Sequence, residues 1–232
     1  MSTISREKSI AQLRAVTAAF EAQPEGGQRA VATAREAGVR VLSGKDVLTT
    51  LPPDTHGREH DVWVYDEAGI RRVWKITRSQ QMLYGLSGDA LSYLRRWLNS
   101  NLIFGDDIYL TGILPDGRFV ISQLFIEGSV PTTIHLHSKL LQVGWRQYRN
   151  SGTVWTSPDG RIVLSEVHNG NFIEGPNGAV SAIDIALHSD EEWASQLDPA
   201  EFAEAYGQHY QPRSLTAILD AAGGDLSAFG FS

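Results

Sequence analysis

Residues 165–187 read Ser-Glu-Val-His-Asn-Gly-Asn-Phe-Ile-Glu-Gly-Pro-Asn-Gly-Ala-Val-Ser-Ala-Ile-Asp-Ile-Ala-Leu. Two short apolar runs, 171–173 and 179–183, flank a Pro-Asn-Gly turn at 176–178, and this pattern predicts a β-hairpin. Such a hairpin brings together three side chains that carry oxygen ligands: Glu166, Asn171 and Asp184. Oxygen ligands suit a hard divalent cation that is bound together with phosphates, so this stretch predicts a metal and phosphate site.

An upstream hairpin carries a lysine on a predicted strand. Residues 61–65 and 70–77 alternate around an acidic turn, and Lys75 lies between Trp74 and Ile76. Because neighbours on a strand face opposite ways, Lys75 lies on the other face from these two apolar residues. Two interpretations stay open at this point: a lysine on a solvated outer face, or a lysine that points into a cleft.

The remaining pattern predicts a mixture of helices and hairpins. Further hairpins are predicted over residues 104–128 and 154–164, each around an Asp-Gly turn. Helices are predicted over residues 5–38 with a break at 23–27, over 89–98, within 131–148, and at 190–193 and 199–210, with a last short turn at 217–222. Asp89 is interpreted as a helix cap, and the adjacent acids Asp106 and Asp107 are interpreted as turn residues in preference to metal ligands.

Composition limits the classes of function. The 232 residues are 42% hydrophobic, which is enough for one large domain or two small lobes. The absence of cysteine excludes disulfides, thiolate metal sites and a cysteine nucleophile. The net charge of -7 argues against nucleic acid and anionic membranes as partners. No apolar run suggests a secretion signal or a membrane span, so a cytoplasmic protein is expected.

Seven segments, in order along the chain, carry a resemblance to a known family. They are Glu-His-Asp-Val-Trp at 59–63, Val-Trp-Lys-Ile-Thr at 73–77, Tyr-Leu-Arg-Arg at 93–96, Asn-Leu-Ile-Phe-Gly-Asp-Asp-Ile at 101–108, Ile-Ser-Gln at 121–123 with Ile-Glu-Gly at 126–128, His-Asn-Gly-Asn at 168–171 and Ala-Ile-Asp at 182–184. Their order is that of the parts of a protein kinase. More specifically, the chain resembles the kinase-like domain of polyvalent proteins from phages and other mobile elements.

The resemblance implies an α+β, two-lobed, protein-kinase-like fold. Its small antiparallel β-rich N-lobe would span residues 46–128, after an N-terminal helical extension at 1–45. A reduced, mostly helical C-lobe would span residues 129–232.

The resemblance also implies the ligands and a role for each site residue. The expected activity is an ATP- and Mg²⁺-dependent transfer of phosphate to a hydroxyl acceptor. Lys75 would contact the phosphates, Glu166 would stand in the place of the catalytic base, and Asn171 with Asp184 would hold the metal. Four residues would form the hinge beside the adenine: Gln123, Phe125, Glu127 and Gly128.

Departures from the kinase pattern favour an alternative function. Glu166 replaces the usual aspartate, Asp184 is followed by Ile-Ala instead of Phe-Gly, and the helix after Lys75 offers only Ser92 or Asp89 in place of a glutamate. The alternative is a catalytically impaired pseudokinase that serves as a nucleotide-binding or protein-interaction module, with a protein partner on the N-terminal helices. In a third interpretation, these residues only satisfy a β-rich core.

Overall fold

The computed structural model describes residues 6–22, 28–43, 55–56, 59–67, 69–78, 84, 87–149, 151–194 and 218. The chain forms two compact units, Met1–Phe125 and Ile126–Ser232. Both contain helices and antiparallel strands, so the predicted α+β class is confirmed. None of the helices in the described residues combines the length and the apolar character that a membrane span requires.

The first unit is built on a five-stranded antiparallel sheet. Its elements are α1 (Arg6–Ala22), α2 (Gln28–Glu36), β1 (Thr55–His56), β2 (His60–Glu67), β3 (Ile70–Thr77), α3 (Ala90–Phe104), β4 (Tyr109–Ile113) and β5 (Phe119–Leu124). The strand order is β1-β2-β3-β5-β4. Both hairpins predicted for this part of the chain are present, and α3 continues to Phe104, beyond the predicted end at residue 98.

The two faces of this sheet carry different cores. On one face, α1 and α3 pack over the larger apolar cluster, which includes Leu13, Val16, Tyr93, Trp97, Phe119 and Ile121. On the other face lies a smaller cluster, which includes Leu42, Trp63, Ile76, Leu114 and Val120. Lys75 pairs with Ile121 across the sheet. Since paired residues share a face, Lys75 lies on the α3 side of the sheet.

The N-terminal segment closes the outer edge of β4. The side chain of Gln12 on α1 donates to the carbonyl of Leu110 at 2.9 Å and accepts from its N–H at 3.1 Å. Farther along β4, Val41 forms a parallel bridge with Ile113. The predicted N-terminal helices are therefore packed into the first unit, and the buried side chains Leu13, Val16 and Phe20 are part of its core.

The segment between α3 and β4 is fixed by polar side chains. Asn101 is fully buried, and its amide bonds both the N–H of Ile108 at 3.0 Å and its carbonyl at 2.6 Å. Asp107 accepts from the buried guanidinium of Arg72 at 2.9 Å, and Asp106 accepts from the hydroxyl of Ser100. Both adjacent carboxylates thus have structural partners, in line with the non-metal interpretation.

The second unit combines short strands with two described helices. Its elements are α4 (Thr133–Gln142), β6 (Arg146–Gln147), β7 (Trp155–Thr156), β8 (Ile162–Ser165), a 3-10 turn (Asn169–Asn171), β9 (Phe172–Glu174), β10 (Val180–Ala182), β11 (Ala186–Ser189) and α5 (Asp190–Ala194). Four strands form a sheet in the order β11-β8-β7-β6, and β9 pairs with β10.

The expected helical content of the second unit is not met in its described part. The helix predicted within 131–148 ends at Gln142, and strand β6 follows it. The described residues of this unit contain similar amounts of strand and helix, so the expectation of a mostly helical lobe is not met within them. The helix predicted at 190–193 is present. The helix predicted at 199–210 and the short turn predicted at 217–222 lie outside the described residues, except for Ile218, which is helical and buried.

Gly128 lies where the chain approaches hairpin β9–β10, and it offers a test of packing. Ser129 and Glu174 exchange two backbone hydrogen bonds, of 3.0 and 2.7 Å. A Cβ at Gly128 would clash with the carbonyl oxygen of Glu174 and would lie 2.7 Å from Cγ2 of Ile173. We expect Gly128→Ala to lower the free energy of unfolding by about 1–3 kcal/mol in urea denaturation, because the added methyl group overpacks the site.

The matched control is Gly152→Ala, where an added Cβ meets nothing within 4 Å. Equal stabilities of the two variants would show that the segment at Gly128 relaxes without cost, and the prediction would then be wrong.

Candidate functional site

Lys75 lies at the centre of the first unit's sheet. Its side chain is only 6% exposed. Its Nζ stands 5.3 Å from the centroid of the Trp97 ring on α3, a distance typical of a cation–π contact. The solvated outer face that the sequence left open is therefore excluded, and the lysine is buried beneath α3.

A buried ion pair lies on the same face of the sheet. Arg96 on α3 donates to both carboxylate oxygens of Glu59, at 3.1 and 2.9 Å, and both residues are 5% exposed. The Arg96 guanidinium also lies 4.9 Å from the centroid of the Trp97 ring. Next to Glu59, His60 bonds the hydroxyl of Tyr93 through Nε2 at 3.0 Å. Trp97 thus joins Lys75 to this ion pair.

The pair of Glu59 and Arg96 was not predicted from the sequence. Both lie in segments that carry the kinase resemblance, but 37 positions separate them along the chain. A charged residue before a strand and an arginine on a helix are ordinary features on their own. Only the packing of α3 on the sheet brings them together.

Asp89 and Ser92, the residues that the sequence offers where the kinase resemblance would require a glutamate, bond to each other at the start of α3. Asp89 caps α3, accepting from the N–H of Ser92 at 2.9 Å and from its hydroxyl at 2.6 Å. The predicted capping role of Asp89 is confirmed. These contacts are exposed at the start of the helix, so the carboxylate of Asp89 is occupied by capping.

Three valines continue the face on which Lys75 lies, and we call Val62, Val64 and Val73 the valine row. Val62 pairs with Lys75, and Val64 pairs with Val73 on β3. Val64 is 37% exposed and the other two are half-buried. The row therefore presents apolar surface next to a buried cation.

Gln123 on β5 lies next to the valine row, since it pairs with Val73 and shares its face of the sheet. Its side chain is 4% exposed, and within the described part of the chain its amide nitrogen has no hydrogen-bond partner. Beyond it, the N–H of Phe125 donates to the carbonyl of Arg71 at 3.0 Å. Of the four predicted hinge residues, Gln123 and Phe125 belong to the first unit, and the exposed Glu127 and Gly128 belong to the second.

The second unit holds Asn171 and Asp184 at one end of hairpin β9–β10, which has the predicted turn. Phe172 pairs with Ala182, and the N–H of Ile183 donates to the carbonyl of Asn171 at 2.8 Å. Asp184 follows Ile183 directly. The Cα atoms of Asn171 and Asp184 therefore lie within roughly 10 Å of each other. Both side chains are half-buried.

Glu166 and Asn171 are tied together in the turn after β8. The amide nitrogen of Asn171 donates to the backbone carbonyl of Glu166 at 2.9 Å, which leaves Oδ1 as the atom that can bind a cation. Glu166 has a φ of 61°, in the left-handed region that residues other than glycine rarely adopt. Such conformations persist where the surroundings enforce them, and they cluster at functional sites.

A serine and a histidine link the strands on either side of these residues. Ser165, directly before Glu166 on β8, has its hydroxyl 2.9 Å from Nε2 of His188 on β11. The ring of His188 lies 5.5 Å from that of Trp193 on α5. This contact was not predicted, because a serine and a histidine 23 positions apart give no local signal.

The histidines of α4 contact other residues of the second unit. Nδ1 of His135 lies 3.1 Å from a carboxylate oxygen of Glu174 on β9. The ring of His137 packs edge-on against Trp155, with 4.9 Å between ring centroids.

Comparisons with family models, with curated proteins and with solved structures gave no match to this chain. Its function must therefore be inferred from its own residues.

Proposed function

We propose that the protein is an ATP- and Mg²⁺-dependent phosphotransferase of kinase-like fold that acts on a hydroxyl acceptor. The observation that carries the proposal is the position of Lys75. It is a buried lysine on the third strand, a helix follows that strand, and an apolar row continues the same face of the sheet. Protein kinases also have their phosphate-binding lysine on their third strand.

The first unit would bind the nucleotide. The ammonium group of Lys75 would contact the phosphates, which carry the charge that a buried cation favours. The valine row would receive the flat face of the base, since a half-exposed apolar surface gains free energy when a ring covers it. Trp97 and the pair of Glu59 and Arg96 would hold Lys75 in place.

The second unit would supply the metal ligands and the acid. Asn171 Oδ1 and the carboxylate of Asp184 are hard oxygen donors from neighbouring positions, as Mg²⁺ prefers. Bound there, Mg²⁺ would neutralise charge that develops on the phosphates. The carboxylate of Glu166 would accept the proton of the acceptor hydroxyl. The oxygen of that hydroxyl would bond to the γ-phosphorus of ATP while the bond between the γ-phosphorus and ADP breaks.

A second candidate function is nucleotide binding with little or no transfer. It is favoured by Asp89 and Ser92, which bond to each other at the start of α3. In kinases, the strand lysine must be paired with a glutamate of this helix for activity. The longer side chain of Glu166 also favours this candidate, because a misplacement of one ångström can cost about a hundredfold in rate.

Three broader expectations remain parts of the proposal. They are a cytoplasmic location, an origin in a phage or mobile element, and a protein partner on the N-terminal helices. The apolar side of α1 is buried in the first unit. Such a partner would therefore contact the outer side, which carries exposed charges such as Glu7, Lys8 and Arg14.

A thermal-shift titration with ATP and Mg²⁺ tests nucleotide binding. At about 100 times its dissociation constant, a ligand adds roughly 2.7 kcal/mol to the free energy of unfolding. We expect Lys75→Met to lose most of this gain, because methionine keeps the apolar contact with Trp97 but removes the charge. The control is Lys139→Met on α4, which should keep the gain. Two results would contradict the proposal: no shift with the unaltered protein, or equal shifts with both variants.

A further inference from the structure

Gln123 is a buried polar residue whose amide donor is not satisfied by the described part of the chain. It is 4% exposed, and its amide nitrogen has no hydrogen-bond partner among the residues that the structure describes. Burying an amide donor without a partner is unfavourable, and most buried side-chain donors in proteins have one. A ligand that presents a hydrogen-bond acceptor at this position would satisfy the amide nitrogen.

The position of Gln123 limits what that ligand can be. It pairs with Val73 and so shares the face of the valine row. Lys75 lies two residues from Val73 on β3, which is about 7 Å along the strand. A ligand with an anionic group at Lys75 and a flat ring on the valine row would have an edge of that ring directed at Gln123. A nucleotide has this shape.

We infer that the side chain of Gln123 selects adenine over guanine, an inference that rests on the proposed nucleotide binding. A primary amide offers one donor group and one acceptor group side by side. Adenine matches this pair with N7 as acceptor and the N6 amino group as donor, whereas guanine presents two acceptors, N7 and O6, along the same edge. Guanine would leave the amide oxygen facing a second acceptor. The base would thus be selected by a side chain as well as by any backbone contact of the hinge.

The test is the ratio of dissociation constants for GTP and ATP, measured by calorimetry with Mg²⁺ on the full chain. The unaltered protein should prefer ATP by roughly tenfold or more, the discrimination expected of one good bidentate pair. In Gln123→Leu the ratio should fall towards one, because leucine has a similar volume but no amide. Gln123→Met is a second variant in case leucine disturbs folding. The exposed Gln142→Leu on α4 is the control and should keep the full preference.

The outcomes separate this inference from the proposed function. If the unaltered protein binds neither nucleotide, both are wrong. If it binds ATP and GTP equally, or if Gln123→Leu and Gln123→Met keep the full preference, nucleotide binding stands and the role of Gln123 is overturned.

Discussion

Replacing Arg96 with methionine should lower the free energy of unfolding by about 3–5 kcal/mol, the cost typical of removing one partner from a buried ion pair. Arg96 and Glu59 are both 5% exposed and share two hydrogen bonds. Without the guanidinium, the carboxylate of Glu59 remains buried among the side chains of α3. Urea denaturation followed by circular dichroism measures the change.

The neighbouring arginine is the control for this prediction. Arg95 also pairs with a glutamate, Glu21, at 2.8 Å, but its side chain is 43% exposed. We expect Arg95→Met to change stability by less than about 1 kcal/mol, since exposed ion pairs contribute little. Adding Glu59→Gln to Arg96→Met should recover part of the loss, because the carboxylate left without its arginine is then removed as well. Similar losses for Arg95→Met and Arg96→Met would show that burial does not set the strength of this pair.

Asp184→Asn should reduce phosphate transfer by at least about a hundredfold, the usual cost of removing one group that stabilises charge in the transition state. The substitution keeps the shape of the side chain and removes its charge. Of the two proposed metal ligands, Asn171 is neutral and Asp184 is anionic, so the metal would lose the negative charge that this pair supplies. Transfer from γ-labelled ATP to a broad set of protein and small-molecule hydroxyl acceptors measures the rate.

Asp159→Asn is the matched control, because it makes the same change of side chain at a residue outside the proposed site. Asp159 is an exposed turn residue that accepts from the hydroxyl of Ser157 at 2.6 Å. Equal rates for the Asp184→Asn and Asp159→Asn variants would rule out the metal role of Asp184. An unaltered protein that shows a thermal shift with ATP but no transfer would instead support the nucleotide-binding module.

The hairpins were predictable because their signals are local. Alternating residues around Pro-Asp-Gly at 115–117 and Pro-Asn-Gly at 176–178 specify both the strands and the turns. The cap at Asp89 has a local signal as well. By contrast, strand β6 is only two residues long, too short for any alternation to appear. This explains why the sequence predicted helix within 131–148, where the structure has β6 after α4.

The candidate site was only partly predictable, because its decisive features depend on packing. Alternation places Lys75 on one face of β3, but it does not say which face a helix covers. The partnership of Glu59 with Arg96 exists only once α3 lies on the sheet. The left-handed backbone of Glu166 also has no sequence signal, since a glutamate does not favour that conformation. The sequence named the polar groups of the second unit but not the contacts that orient them.

The closure of β4 by Gln12 and Val41 has a consequence for shortened forms of the protein. A chain that begins after residue 43 would lack both of these contacts and would expose a strand edge with open N–H and C=O groups. Open edges of this kind pair with other chains and promote aggregation. The N-terminal segment therefore protects the first unit from self-association, whatever ligand or partner the protein binds.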